Sequence, residues 1–313
     1  MEYLKEEPET QKLLFTGLDN AGKTSIILTL QREFSKFATL SPTKGAQRRI
    51  FNFLGKSISE WDLGGQENYR ISYLRNPDKY FEGTEIAIYV IDVINRDRHG
   101  EALSYLNDVI EKFNELEIEP PIFIFFHKYD PIIVQTSIEE LNNTLIKIKQ
   151  TIKDEIKYKK IFYYTTSIYN KPSIISAISE ILLTLYPKSE LLQKTIEEYV
   201  KKENGIGGIV VDENSLVICT YFADDDSKNL LNTTTPHFLA LHDSLIEGFN
   251  KSKKDINSEE MIIHRFGKVF VFKPIPLEGQ DNDYYLLLLK DTPEFTQTYF
   301  DTFSNMLKEV LAK

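Results

Sequence analysis

The segment Gly17-Leu18-Asp19-Asn20-Ala21-Gly22-Lys23-Thr24 constrains this chain most, because it fits G-x-x-x-x-G-K-[ST] between an apolar run and a stretch of helical period. A chain carrying it there has to fold as strand, phosphate loop and helix. The glycines let backbone N–H groups turn inward onto phosphate oxygens, and the helix start adds the positive end of its dipole. Lys23 is placed to neutralise the β- and γ-phosphates and Thr24 to offer its hydroxyl to Mg²⁺. Asp19, Asn20, Ala21, Gly22 and Ser25 complete the expected wrapping of the nucleotide phosphates.

The remaining pattern extends this start into an α/β domain. Up to about Tyr186, β-rich runs at Lys12–Thr16, Arg48–Leu54, Ser57–Asp62, Glu85–Ile91, Pro121–Phe126 and Ile161–Thr165 alternate with helical stretches at Lys23–Phe34, Arg98–Leu116, Ser137–Tyr158 and Ser173–Leu185. That alternation predicts a mostly parallel six-stranded sheet with helices on both faces, and Gly55-Lys56 predicts a tight hairpin giving it one antiparallel edge. Beyond Tyr186-Pro187-Lys188 the order becomes helix (Ser189–Lys202), two strands (Ile206–Asp212, Ser215–Phe222), helix (Pro236–Asn250), three strands (Met261–Phe266, Lys268–Pro274, Tyr284–Lys290) and helix (Pro293–Leu311). This predicts a second, α+β domain around a meandering antiparallel sheet, with Asp224–Thr235 and Leu277–Asp283 as polar loops. The domains are accordingly expected at 1–188 and 189–313, within what 313 residues allow.

Composition removes several function classes. The longest apolar run, Tyr284–Leu289, is far short of the ~18 residues that cross a bilayer, and the polar start Met1-Glu2-Tyr3-Leu4-Lys5 lacks a signal-peptide core. Glu2 in place of glycine and an end without a cysteine box signal no lipid anchor, so a partner is expected to carry the protein to any membrane it visits. The single cysteine, Cys219, can form neither an intramolecular disulfide nor a cysteine zinc cluster, which points to the cytoplasm. A net charge of −10, with the acid excess concentrated beyond residue 188, argues against nucleic acid as a partner.

Four further motifs fall where a nucleotide site needs them. Trp61-Asp62-Leu63-Gly64-Gly65-Gln66 ends the third strand, at the sheet edge where open α/β folds bind ligands. Asp62 is expected to hold Mg²⁺ through its water shell, the Gly65 amide to meet the γ-phosphate, and Gln66 to orient an attacking water. His127-Lys128-Tyr129-Asp130 and Thr166-Ser167-Ile168 follow two later strands on the same edge. Asp130 can accept from guanine N1–H and the 2-amino group, neither of which adenine offers. Lys128 is expected to cover base and ribose, and the Ser167 and Ile168 amides to meet guanine O6. Thr43 lies between the first helix and second strand, the place for a mobile segment that touches Mg²⁺ and γ-phosphate in the triphosphate state.

This ordered set resembles the Ras-like small GTPases. The phosphate loop, Pro42-Thr43-Lys44-Gly45 and Trp61–Gln66 resemble the Arf branch, whereas His127-Lys128-Tyr129-Asp130 and Thr165–Tyr169 resemble the Rag/Gtr branch, which also carries His where other members carry Asn. The resemblance implies a P-loop GTPase fold followed by a C-terminal roadblock domain of the longin-like class. It also implies GTP and GDP as ligands with Mg²⁺, catalysis by Gln66, Lys23 and Thr43, activating and exchange proteins as regulators, and a homo- or heterodimer held by the C-terminal domain. Two other functions fit the same motifs: a nucleotide-loaded scaffold subunit with little hydrolysis, and an Arf-like trafficking GTPase with an appended domain.

Some features depart from the pattern or have plain readings. The His127 ring is expected to donate to guanine N7 from one nitrogen, and Asp19 stands where many small GTPases have glycine. Arg48 and Arg49 read as a solvated face, so intrinsic hydrolysis is expected to be slow. Phe123, Phe125, Phe126, Phe162 and Tyr163 read as core packing, as do His237, His242 and His264, which lack neighbours at metal-ligand spacing.

Overall fold

A computed structural model describes residues 10–31, 36, 40–249, 260–276 and 283–311. The chain divides into two compact units, residues 1–174 and 175–313, and the division falls within a helix. In the first unit the strands are β1 (Gln11–Gly17), β2 (Ala46–Phe53), β3 (Lys56–Leu63), β4 (Thr84–Asp92), β5 (Ile122–His127) and β6 (Ile161–Thr166). They form one sheet in the order β2-β3-β1-β4-β5-β6, parallel throughout except for β2 against β3. Phe53 pairs with Lys56, so the hairpin turns on Leu54-Gly55, one residue earlier than Gly55-Lys56.

The helices of this unit are α1 (Lys23–Leu30), α2 (Glu67–Arg75), α3 (Pro77–Tyr80), α4 (His99–Glu115) and α5 (Pro131–Glu155). The predicted continuation of α1 to Phe34 lies outside the described residues. Leu14, Tyr89, Ile91, Ile124 and Phe126 share one core cluster with Leu106, Val109 and Phe113 of α4 and Leu145 and Ile148 of α5. Leu13, Phe15, Ile88, Val90 and Phe125 on the alternate positions are just as buried, as a parallel sheet covered on both faces requires. Phe162 departs from its predicted core role. It lies on edge strand β6, 48% exposed, and stacks on Phe123 at 5.1 Å between ring centroids.

α6 (Lys171–Leu183) carries the division between units. The second unit then has α7 (Ser189–Lys202), β7 (Gly205–Asp212), β8 (Val217–Phe222), α8 (Asp225–Phe249), β9 (Met261–Arg265), β10 (Lys268–Ile275), β11 (Tyr284–Lys290) and α9 (Gln297–Leu311). Its sheet is antiparallel in the order β8-β7-β11-β10-β9, so the expected meander is corrected: the last strand returns beside the first and leaves β8 and β9 as edges. Leu231, Phe238 and Leu239 of α8 join Ile209, Phe272 and Leu287 in one core, while Tyr199 of α7 stacks on Phe303 of α9 with centroids 4.4 Å apart.

The predicted loop Asp224–Thr235 is the first half of α8. The Ser227 amide donates to Asp224 Oδ1 at 2.7 Å and the Asp224 amide to Ser227 Oγ at 3.2 Å, a reciprocal cap that starts a helix. Thr233, Thr234 and Thr235 each donate a hydroxyl bond to the carbonyl four residues back, and Pro236 is carried inside the helix. Of the predicted Leu277–Asp283 loop only Asp283 is described. His237 and His264 are exposed rather than packed, whereas His242 is buried between Phe272 and Tyr285.

Candidate functional site

The carboxyl ends of β1 and β3 lie side by side where the strand order reverses, and the loops leaving them form a cleft of about 250 Å³. Asp19, Lys23, Thr24, Thr43 and Gln66 line it, and Asn20, Gly22, Ser25 and Gly65 belong to the same wall. Ala21 is buried behind the loop. Gly22 caps α1 at φ 99°, so the free N–H groups of the first helical turn open onto the cleft. Lys23 is buried, with its amine donating to the carbonyls of Gly17 (3.0 Å) and Leu18 (2.8 Å). Burial pulls that amine down to about 8, against the attraction of Asp62 and Asp19.

Three oxygen donors meet at the cleft floor. Thr24 Oγ1 lies 2.7 Å from Thr43 Oγ1 and donates to Asp62 Oδ2 at 2.8 Å, and Thr43 Oγ1 lies 3.1 Å from the same carboxylate oxygen. Asp62 Oδ1 is buried with no hydrogen-bond partner among the described residues. Two hydroxyls and a carboxylate with an orphaned oxygen suit a hard divalent cation that keeps part of its water shell, so these residues fit Mg²⁺. The weakest sequence signal, one threonine among several, is thus brought to the same point as the two stronger ones.

Gly65 seats its loop directly on the phosphate loop. Its carbonyl accepts from the Asp19 amide at 3.1 Å, and a Cβ at this position would lie 2.1 Å from that nitrogen, so only glycine permits the approach. Gln66 is the N-cap of α2 and accepts from the Arg70 amide through its own carbonyl, which leaves its side chain on the cleft wall. Sequence periodicity missed α2 because it buries only Arg70 and Tyr73 and so has no apolar stripe.

The second loop pair gathers beside the ends of β5 and β6. Asp130 caps α5 with Pro131 at N1, and Ser167 Oγ donates to Asp130 Oδ1 at 2.5 Å. Lys128 reaches Asp92 Oδ2 at 2.7 Å, with backbone φ of 64°. The Ser167 amide, expected to face guanine O6, donates here to Ser173 Oγ at 3.1 Å, and Ile168 follows it in the loop. His127 is 2% exposed, pairs its Nδ1 with Thr166 Oγ1 at 2.9 Å, and lies so close to Gly22 that a Cβ there would sit 2.7 Å from its Nε2. The ring therefore ties the β5 and β6 loops to the phosphate loop from behind instead of presenting an edge to solvent.

Burial, reinforced by the Lys128 charge, lowers the His127 ring to about 4. Its unfolded value is near 6.5, so the neutral ring contributes stability that is present above that value and is lost as pH falls toward 4. Relative to His127→Asn, which does not titrate, the parent is expected to lose about 2 kcal/mol of unfolding free energy between pH 8 and pH 5. Denaturant titrations of both proteins at the two pH values check this, and parallel losses would place the titration elsewhere.

Sequence reading also passed over Arg98. It stands at the predicted start of a helix, yet its guanidinium donates to Asp19 Oδ1 at 2.8 Å. The partner lies 79 residues away along the chain, and no local pattern reports such a pair.

Comparison with known proteins shows what the chain is similar to. The chain is 33% identical over 142 residues to the ADP-ribosylation factor-like protein 3 of Chlamydomonas reinhardtii, covering 45% of this chain and 75% of that one. It is 29% identical over 196 residues to the Ras-related GTP-binding protein A of Dictyostelium discoideum, covering 61% of this chain and 63% of that protein. The Trypanosoma brucei Arl6 BBS3 small GTPase, solved with the bound nucleotide analogue GppNp, aligns with a TM-score of 0.43 at 18% identity, over 56% of this chain and 96% of its own. The conserved region of the Gtr1/RagA G proteins matches residues 12–237. With a match that starts in the first strand of the parallel sheet and runs through the first strands of the antiparallel second unit, more than half of its length, the chain belongs to the Gtr1/RagA G protein family.

Proposed function

We propose that this protein is a GTP-binding switch of Rag/Gtr type that hydrolyses GTP slowly and signals through a dimeric assembly. The observation that carries the reading is the convergence of Thr24, Thr43 and Asp62 at the mouth of the phosphate loop, with Gln66 on the same cleft. Lys23 and the α1 amides neutralise the phosphates, and bound Mg²⁺ would add charge stabilisation as phosphate is transferred. Gln66 orients the attacking water, and Thr43 engages in the triphosphate state and lets go after hydrolysis. Asp130 selects guanine, held by the Ser167 hydroxyl, while Lys128 and the Ser167–Ile168 segment frame the base. Among the described residues no arginine lines the cleft, so turnover is expected to be of the order of 10⁻³ s⁻¹ or less, with activating and exchange proteins setting the state of the switch.

Titration with GTP tests the reading. The parent is expected to bind GTP with Mg²⁺-dependent affinity, and Thr24→Asn to lose on the order of tenfold or more of it by removing a metal ligand. Equal affinity in both proteins, or none in the parent, would count against the site.

The segment from Ser189 onward supplies the pairing part of the proposal, as a roadblock/longin-like dimerisation domain. Its antiparallel sheet keeps two edge strands, β8 and β9, and exposed edges are templates for pairing. Light scattering of the full chain is expected to show a dimer. A monomer would assign the partner role to a different subunit, and a fragment 1–188 that dimerises beside a monomeric 189–313 would overturn the assignment. Among the described residues no helix is long and apolar enough to cross a membrane. The lone Cys219 supports a cytoplasmic location, with any membrane visit made through a partner.

A further inference from the structure

Arg98 lies between two carboxylates that belong to different parts of the switch. Its Nη2 donates to Asp19 Oδ1 in the phosphate loop at 2.8 Å and its Nη1 faces the Asp19 carbonyl at 3.3 Å. Its Nε donates to Glu101 Oε2 at 2.9 Å, and Nη2 also reaches Glu101 Oε1 at 3.2 Å. That same Oε1 accepts from Arg70 Nη2 of α2. Arg70 is 9% exposed and rests its guanidinium 5.0 Å from the Tyr105 ring centre, and the Tyr105 hydroxyl meets Thr16 Oγ1 of β1 at 3.2 Å. The chain of contacts is continuous: phosphate loop, α4, α2 and back to β1.

We propose that Arg98 is a positioning residue with two tasks: it compensates the Asp19 carboxylate beside the nucleotide phosphates, and through Glu101 and Arg70 it couples the phosphate loop to α2 and so to Gln66. The inference rests on the GTPase reading above. Asp19 places an anion in a loop whose work is to hold a polyphosphate, and that charge opposes ligand binding unless a cation faces it. The Asp19–Arg98 pair is about a third exposed, and an isolated surface pair of that kind contributes little. This one is different in kind, because a single planar fork donates to both carboxylates and Glu101 is shared with a buried second arginine. Burial alone would raise the Asp19 carboxyl; the Arg98 hydrogen bond and charge more than offset that and hold it below its ordinary value. Arg70 is the first residue of α2 whose amide bonds back to the helix cap, Gln66, so a shift of its side chain is felt at the catalytic end of the helix.

Release of fluorescent GTP and GDP analogues, together with single-turnover GTP hydrolysis, tests both tasks on the full chain. Arg98→Ala is expected to release nucleotide about tenfold faster and to hydrolyse GTP severalfold more slowly. Adding Asp19→Asn to that variant should bring release back to within about twofold of the parent, since the uncompensated charge is gone. Arg98→Lys should restore release but not hydrolysis, because an ammonium can face Asp19 yet cannot fork to Glu101 as well. Parent rates in Arg98→Ala, or a double variant no better than the single one, would overturn the proposal and leave Arg98 a surface residue. A parent that binds no guanine nucleotide overturns the GTPase reading and this inference together, so the two failures are told apart by the parent alone.

Discussion

In competition binding, Asp130→Asn is expected to exchange the parent's preference for GTP over XTP for the reverse, with a total swing on the order of 10⁴. A carboxylate accepts from guanine N1–H and the 2-amino group; a carboxamide offers its N–H₂ to the 2-oxo group of xanthine and sets a donor against a donor in guanine. The swing is large because a buried donor left without an acceptor loses its full desolvation cost rather than the modest net value of one hydrogen bond. In the proposed role, Asp130 draws its orientation from its place at the start of α5. Pro131 fixes the entry to α5, and the Ser167 hydroxyl bonds Oδ1 and holds the carboxylate orientation. Asparagine keeps an oxygen for Ser167, so the substitution changes the reading group while retaining its support. If the variant retains GTP over XTP, the base is read elsewhere, and the loop carrying Ser167 and Ile168 becomes the next candidate.

The parts of this protein that were legible in its sequence are those whose information is local. The six strands of the first unit read directly, because each is a short β-branched or aromatic run between turn residues, and the glycines and Lys23 of the phosphate loop act through their own backbone and nearest neighbours. The start of α8 failed the same test: Asn232-Thr233-Thr234-Thr235-Pro236 has loop composition, and its helicity depends on the Asp224–Ser227 cap and on threonine hydroxyls bonding back to the preceding turn. α2 failed because its fixed points are an arginine and a tyrosine rather than an apolar stripe. The neighbours of β11 could not be read, since pairing with β7 instead of an end position is decided by packing of the whole sheet. Within the site, the identity of every expected residue came from sequence. Its electrostatic frame did not: Asp19 meets Arg98, Lys128 meets Asp92, and His127 packs beneath Gly22, each across a long stretch of chain.

Gln66→Leu is expected to keep Mg²⁺-GTP binding within a few-fold of the parent and to slow single-turnover hydrolysis on the order of 10²-fold. Phosphoryl transfer asks little covalent chemistry of the protein, so most of its contribution is to hold the water, the phosphates and the charge in register. Gln66 is well placed for the first of these tasks. It closes the loop that begins at Asp62, it caps α2, and it lines the cleft that Thr43 and Asp19 also face. Because the α2 cap is made by its backbone carbonyl and not by its side chain, leucine leaves the helix start intact while removing the amide that can accept from and donate to water. A loss of hydrolysis with binding retained thus reports on chemistry and not on folding. Equal hydrolysis in parent and variant would remove Gln66 from the reaction, and if both rates were also indistinguishable from the uncatalysed one, the protein would be acting as a nucleotide-loaded scaffold. In that case the cleft would serve to order the Thr43 and Gln66 segments for a partner, and the cycle would depend on exchange alone.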